Sequence, residues 1–338
     1  MKQRASGKRN TKRFKREKQT ETITLNPGLV IATHGASVEV EDEKKQSHSC
    51  ISRKKVGLAV CGDQIRWHSE PNQTGLIYEI LPRKNLLSRP DARNKLKPVA
   101  ANIDYLIITL APTPSLIQND ETEIISQDDY LTLFDFHAID RYIVAAEASK
   151  IQAMVVINKI DLLSNELIND IEIHLERYKQ LGYPYVFTSP QKNLGLTELY
   201  DYLHNNTCVF VGQSGVGKSS LIKYYVDEQQ EVQVGSISKV TGQGRHTTTA
   251  TRLYHLKSGG HIIDSPGVRE FGLWNIEAKE IMHTFREFQP YLGQCKFNDC
   301  LHAGEPGCTV KAAVNSKGIS KERYEAYLQI LDSLNNPR

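Results

Sequence analysis

Residues 212–219 read G-Q-S-G-V-G-K-S, and residues 158–161 read N-K-I-D. The first stretch can hold phosphate. Gly212, Gly215 and Gly217 let the backbone fold tightly enough for several amides to point at one anion, and a helix expected to begin near Gly217 adds its positive end. In such a loop Lys218 bridges the β- and γ-phosphates of a nucleotide and Ser219 ligates Mg2+, while Gln213, Ser214, Val216 and Ser220 complete the wrapping segment. The second stretch can read a base. The Asp161 carboxylate is able to accept two hydrogen bonds, from guanine N1–H and from the N2 amino group. Adenine lacks both donors and would leave a buried carboxylate unpaired, so a site built this way discriminates strongly. Asn158 is expected to support the base and its loop, and the Lys159 stem to cover the ring. Thr188-Ser189-Pro190 stands where a second base-contacting loop belongs, with Ser189 as its contact; Pro190 has no N–H to offer guanine O6.

Three further groups carry chemistry. D-S-P-G at 264–267 follows an apolar strand 45 residues beyond Ser219, where Asp264 would hold Mg2+ through water and the Gly267 amide would sense the γ-phosphate. Taken alone, this short motif also reads as a simple turn. G-Q-G-R-H-T-T-T at 242–249 reads as a switch segment, in which one of Thr247, Thr248 and Thr249 completes the Mg2+ shell, Thr248 being the working choice. Val268 cannot orient an attacking water, which leaves His246 as the nearest candidate; a solvated histidine or an RNA contact is the equal alternative. Finally, Cys295-x4-Cys300-x-His302-x5-Cys308 offers three thiolates and one imidazole, a closed tetrahedral set of the structural zinc type. The competing reading is a chance cluster of core cysteines beside a surface histidine.

These residues need elements to hold them. Residues 24–89 read as short strands at Leu29–Ile31, Val38–Val40, Val56–Val60, Gln64–Trp67 and Leu76–Leu81, broken by glycine and Pro-Asn turns. A small closed barrel, of which an OB-fold is the obvious form, suits that spacing; a β-rich cap without a ligand is the alternative. After Pro98 strands and helices alternate, with strands at Tyr105–Leu110, Met154–Asn158, Tyr185–Thr188, Thr207–Val211, Arg252–Leu256 and His261–Asp264. Helices are expected at Asp128–Lys150, Asn165–Leu181, Leu196–Leu203 and Gly217–Asp227. This alternation predicts a mostly parallel α/β sheet. The C-terminal part is expected to be helical around the Cys/His cluster and to end in a helix at Lys321–Leu334. The domains follow as a basic tail (1–22), a β-barrel (23–97), an α/β P-loop domain (98–274) and a helical zinc-binding domain (275–338).

In an ordinary GTPase the phosphate loop precedes N-K-x-D; here it follows. Tyr105–Leu203 corresponds to the second half of such a domain and Thr207–Gly267 to the first, and every motif follows a strand. The order therefore predicts a circular permutation, which preserves a packed sheet because domain termini lie close together.

Charge is unevenly placed. Residues 1–18 carry nine Lys/Arg against one Glu, whereas the rest carries 33 basic against 38 acidic side chains. A basic block on an acidic body points to a polyanion, RNA above all, with a solvated tail as the plain alternative. No apolar run approaches membrane-spanning length and no secretory leader pattern is evident, so no membrane partner and a cytoplasmic location are expected.

With its Gly62-Asp63 and Gly75-x-Ile77, NKID, GQSGVGKSSL, GRHTTT, DSPGVREF and the Cys/His cluster, the chain resembles the circularly permuted GTPases of bacterial small-ribosomal-subunit biogenesis, the RsgA type, over roughly residues 25–335. The resemblance implies an OB-fold, a permuted G domain and a zinc domain. It also implies GTP hydrolysis gating binding to the small (30S) subunit and its rRNA, stimulated by that subunit, in a protein expected to be a monomer. A GTP-sensing RNA scaffold with negligible turnover and a tRNA-directed GTPase are the rival readings. Ser265 stands where the family more commonly has Thr and keeps the hydroxyl.

Overall fold

The structure, a computed structural model, describes residues 24–69, 74–90, 95–113, 133–226, 251–257, 259–265 and 276–335. The basic tail, the 242–249 segment with His246 and Thr248, and Gly267 and Val268 lie outside the described residues.

Alternation of apolar and polar side chains builds the N-terminal barrel. In β2 (Ser37–Glu41) the buried residues are Val38 and Val40, and in β4 (Gln64–His68) they are Ile65 and Trp67. This two-residue period turns one face of each strand inward. With β1 (Asn26–His34), β3 (Ser47–Ser52) and β5 (Gly75–Ile80) they close in the order β1-β2-β3-β5-β4-β1, with β3 and β5 parallel. Val30, Cys50, Ala59 and Ile77 fill the interior with them.

One expectation needs correction here. Val56–Val60 is not a strand but an irregular segment between β3 and β4. Turn bonds and side chains take its backbone groups instead of a ladder: Val56 N–H donates to Arg53 O, the buried Asp63 carboxylate accepts from Val60 N–H at 2.7 Å, and Arg83 donates to Leu58 O at 2.8 Å. Arg83 also grips Asp63 through two bonds of 2.7 and 2.8 Å. Conversely, β3 is a real strand whose polar sequence S-H-S-C-I-S hides it. A hairpin of β6 (Leu86–Pro90) and β7 (Leu96–Ala101), not foreseen from sequence, then leads to the α/β part.

The α/β sheet runs β10 (Tyr185–Thr188), β9 (Gln152–Asn158), β8 (Tyr105–Leu110), β11 (Thr207–Val211), β13 (His261–Asp264), β12 (Thr251–His255), parallel except for β12. Its central strands β8, β9 and β11 are largely apolar because both faces are covered. Leu106, Ile108, Val155 and Ile157 face a core shared with α1 (Phe136–Ala148) and α2 (Asn165–Gln180). Ile107, Met154 and Val156 face α3 (Leu196–Leu203) and α4 (Lys218–Tyr225). β12 continues the sheet into the barrel by pairing with β1, Ala32 opposite Arg252 and Thr33 opposite Thr251.

The C-terminal part contains α5 (Ala278–Ile281), short 3-10 turns, α6 (Thr309–Asn315) and α7 (Lys321–Asn335). It docks on α1 through a buried charge cluster. Arg323, 1% exposed, bonds Asp140 of α1 and Glu287, the latter at 2.7 Å, and lies over the Phe285 ring. Burial raises the Asp140 pKa against the pull of Arg323. Arg286 adds a rim contact to Glu147 at 2.7 Å and covers Tyr183. Removing one partner of such a buried cluster strands the others without solvent.

Gly62 sits where the barrel meets the α/β part. Its φ is +89°, and a Cβ would lie 2.3 Å from the Ala101 carbonyl oxygen. Gly62→Ala is therefore expected to cost at least ~1–3 kcal/mol and to lower the thermal unfolding midpoint clearly more than Gly57→Ala. Gly57 has a similar φ of +90° but open space around the added methyl. Equal shifts for the two variants would show that the close approach to Ala101 contributes nothing.

Candidate nucleotide site and metal centre

The nucleotide motifs meet at the C-terminal ends of the parallel strands. N-K-I-D follows β9, Thr188-Ser189 closes β10, the phosphate loop follows β11, and Asp264 closes β13. Parallel register brings them to one edge of the sheet, the place where open α/β sheets bind ligands. Thr188 lies opposite Asn158, and Val209 opposite Ile263.

The base motif and the phosphate loop are bonded to each other. Asn158, buried, donates from Nδ2 to Val216 O at 2.8 Å, and Lys159 Nζ donates to Gly215 O at 2.7 Å. Gly217 has a φ of +94°, and a Cβ there would lie 2.2 Å from Asn158 Nδ2, so only glycine admits this approach. The buried Thr188 hydroxyl donates to Asn158 Oδ1 at 3.0 Å, which fixes the amide so that its nitrogen faces the loop. Lys159 itself adopts a left-handed backbone (φ 61°), which throws its side chain back over the loop. Ser189 Oγ donates to Asp161 Oδ1 at 2.5 Å and accepts from Lys192 N–H, capping the 3-10 turn Pro190–Lys192. The first amide of that turn is absent because of Pro190, and the next belongs to Gln191.

Within the loop, Lys218 is buried and its Nζ lies on Gly212 O at 2.6 Å and Gln213 O at 2.5 Å. Ser214, Gly215 and Ser220 are exposed, Val216 is buried and Ser219 is half-buried. Gln213 turns away to donate to Asp135 Oδ2, the N-cap of α1, at 2.8 Å. Asp264 is 4% exposed at the end of β13. The supporting roles of Thr188 and Asp135 were not visible in sequence: Thr188 opens the expected base-contacting tripeptide without a role of its own there, Asp135 belongs to no motif, and only the fold aims them at Asn158 and Gln213.

The four sulfur and imidazole groups also converge. The candidate ligand atoms of Cys295, Cys300, His302 and Cys308 all lie within 4.8 Å of one another. His302 Nδ1 is 3.5, 3.6 and 3.4 Å from the three sulfurs, so Nδ1 is the nitrogen turned to the centre. Its Nε2 is buried without a hydrogen-bond partner. Burial lowers the His302 pKa, which favours the neutral ring a metal requires. Backbone N–H groups of Thr309 and Lys311 point at the sulfurs of Cys295 and Cys308, each at 3.4 Å, the orientation that stabilises thiolates. Tyr324 Oη bonds the His302 carbonyl at 2.7 Å. Three soft sulfurs and one nitrogen with no open position can hold one metal ion as a structural cross-link.

Together these features define a circularly permuted P-loop GTPase with a barrel before it and, after it, a C-terminal part whose Cys/His cluster can hold a metal ion. A family model described as RsgA GTPase matches residues 80–274. The small ribosomal subunit biogenesis GTPase RsgA of Haemophilus influenzae is 40% identical over 315 residues, covering 92% of this chain and 86% of that protein. Its namesake from Marinobacter nauticus is 41% identical over 327 residues, covering 94% and 88%. The crystal structure of YjeQ from Thermotoga maritima superposes with a TM-score of 0.69 at 31% identity, covering 93% of this chain and all of the other (100%). That of YloQ, described as a circularly permuted GTPase, gives 0.68 at 25% identity, covering 93% and 96%. The chain belongs to the RsgA GTPase family.

Cys300→Ser removes one of the four ligands from a cluster that already has its geometry. The purified variant is expected to retain well under half of the metal carried by the parent chain, while still binding GTP. Elemental analysis of both checks it; full metal content in the variant would remove Cys300 from the centre.

Proposed function

We propose that this chain is a Mg2+-dependent GTPase of the cytoplasm that acts late in maturation of the small ribosomal subunit, with the nucleotide state gating its binding to and release from that subunit. The observation that carries the reading is the direct bonding of Asn158 and Lys159 to the phosphate loop, in a chain aligned over most of its length with small ribosomal subunit biogenesis GTPases. A base-reading motif held against a phosphate-binding motif is a site for one whole guanine nucleotide.

In this reading Asp161 takes the two guanine donors and Ser189 holds its carboxylate in line. Lys218 leaves the loop carbonyls for the β- and γ-phosphates. Gly212 to Ser220 wrap those phosphates with backbone amides. Ser219, Asp264 and one of Thr247–Thr249 hold Mg2+, and the Gly267 amide senses the γ-phosphate. The ion supplies charge neutralisation on the phosphate oxygens. Val268 offers no group to position water, so His246 takes that place in the complex with the subunit. Zinc is the metal that suits the three thiols and one imidazole, and its role is structural. The basic tail adds salt-dependent contacts to rRNA. Among the described residues no helix is long and apolar enough to cross a membrane, and no membrane partner is proposed.

Two outcomes check the reading. Asp161→Asn replaces the acceptor of two guanine donors by an amide that suits the extra carbonyl of xanthine. Its affinity for GTP should fall by tenfold or more, equivalent to about 1.4 kcal/mol, with XTP gaining; unchanged preference in nucleotide titrations would remove Asp161 from the base site. The chain should also co-sediment with separated small subunits more with a non-hydrolysable GTP analogue than with GDP, and small subunits should accelerate single-turnover hydrolysis. His246→Ala should keep the binding and lose the acceleration. Co-sedimentation with large subunits alone, or none with either, would overturn the assignment of partner.

A further inference from the structure

Where the barrel's sheet joins the GTPase sheet, side chains meet that no nucleotide motif accounts for. β12 begins at Thr251, two residues after Thr249, and β13 ends at Asp264, so the two chain segments read as switches are rooted on neighbouring strands. The Thr251 hydroxyl donates to the Ser265 hydroxyl at 2.9 Å, and the two residues are 6% and 5% exposed. Ser265 directly follows the metal candidate Asp264, which lies opposite Arg252 in the strand register. The Arg252 guanidinium in turn reaches Glu39 of β2 at 2.5 Å, and Glu39 Oε1 bonds His34 at 3.0 Å. Three residues further along β12, His255 bonds Glu41 of the same barrel strand at 2.8 Å.

Each of these bonds has a definite effect. A buried hydroxyl that loses its partner keeps its desolvation cost, so the Thr251–Ser265 pair resists sliding of β12 against β13. Such a slide would displace the Asp264 carboxylate relative to the start of β12, which follows the 247–249 threonines closely in the sequence. Arg252 and His255, both only partly exposed, fasten the outer face of β12 to the barrel hairpin β1–β2. The backbone pairing of Ala32 and Thr33 with Arg252 and Thr251 does the same along the strand edge.

We infer that Thr251 and Ser265 are positioning residues for GTP hydrolysis, a buried hydroxyl pair that sets the roots of both switch segments, and that Glu39 and Arg252 make the barrel the frame against which that pair is held. The inference rests on the reading of Asp264 and the 247–249 threonines as holding the nucleotide's metal. GDP lacks the γ-phosphate that the switches meet. Its affinity should therefore ignore the pair, whereas the hydrolysis step should feel it.

The test uses the full chain, with single-turnover GTP hydrolysis as one readout and GDP affinity as the other. Thr251→Val, nearly isosteric but without the hydroxyl, should hydrolyse about five- to tenfold more slowly with GDP affinity unchanged. Thr251→Ser should recover the rate. Ser265→Ala should match Thr251→Val, Ser265→Thr should stay near the parent, and the double variant Thr251→Val/Ser265→Ala should be no slower than either single one. Glu39→Arg and Arg252→Glu should each slow hydrolysis, and their combination should restore it. Parent-like rates in Thr251→Val, or Thr251→Ser as slow as Thr251→Val, overturn the hydroxyl pair as a positioning device. If Thr251→Val fails to fold, the charge exchange decides, and failure of the exchanged pair to recover overturns the barrel frame. Asp264→Asn separates the two levels. Hydrolysis at the parent rate in that variant overturns the metal reading beneath the inference; an inactive Asp264→Asn beside a parent-like Thr251→Val overturns the inference alone.

Discussion

The permuted chain depends on the parallel pairing of β11 with β8. Cys208 lies opposite Tyr105 and Val211 opposite Ile108, joining strands about one hundred residues apart. This ladder sets the phosphate loop at the same sheet end as N-K-I-D. From it follow the Asn158 and Lys159 bonds to the loop, and the glycine at 217 that lets them form. Chain order is free to change as long as this ladder and its neighbours survive, because the site is made by strand ends and is indifferent to which half is translated first. The Thr207–Asp104 contacts at the start of the two strands, through Thr207 O and Thr207 N–H, fix the register at the opposite end.

Much of this was legible because fully buried strands in a two-sided sheet are continuous apolar runs. Tyr105–Leu110, Tyr185–Thr188, Thr207–Val211 and His261–Asp264 coincide with strands read from the sequence. The convergence of the phosphate loop with N-K-I-D, and of the four Cys/His residues, was legible for a different reason: each motif carries particular residue types at particular spacings. The barrel was harder. β3 has one deeply buried side chain, Cys50, among polar ones, so its alternation is too faint to see. Val56–Val60 has the composition of a strand, but Asp63 and Arg83 take its hydrogen bonds from outside the segment. No local pattern reveals a competitor for backbone groups that comes from elsewhere in the fold. The same applies to Thr188, Asp135 and the Thr251–Ser265 pair, which matter only through what the fold places beside them.

The metal cluster and the charge cluster around Arg323 perform complementary tasks in the C-terminal part. The first gathers, and with an ion held would cross-link, a segment whose described residues between α5 and α6 contain only 3-10 turns and irregular chain. The second fixes that segment on α1, whose N-cap Asp135 holds Gln213 of the phosphate loop. Buried charges contribute little net stability but permit few alternative dockings, since any shift leaves Arg323 or its carboxylates uncompensated. Orientation of the C-terminal part is thereby tied to the helix that touches the phosphate loop.

The pairing of β12 with β1 has one more consequence. In the α/β sheet taken by itself β12 is an edge strand, with a row of backbone groups on its outer side. An uncovered edge of that kind is a template for adding a strand from another chain. Here the barrel supplies the covering strand from the same polypeptide, Ala32 and Thr33 occupying the place a visitor would take. β1 pairs with β4 only over Asn26–Leu29, and its Ala32–Thr33 stretch is covered by β12 in the same contact. Two edges thus cover each other over Ala32–Thr33 and Thr251–Arg252 within one molecule, and strand addition by a partner at these residues is closed.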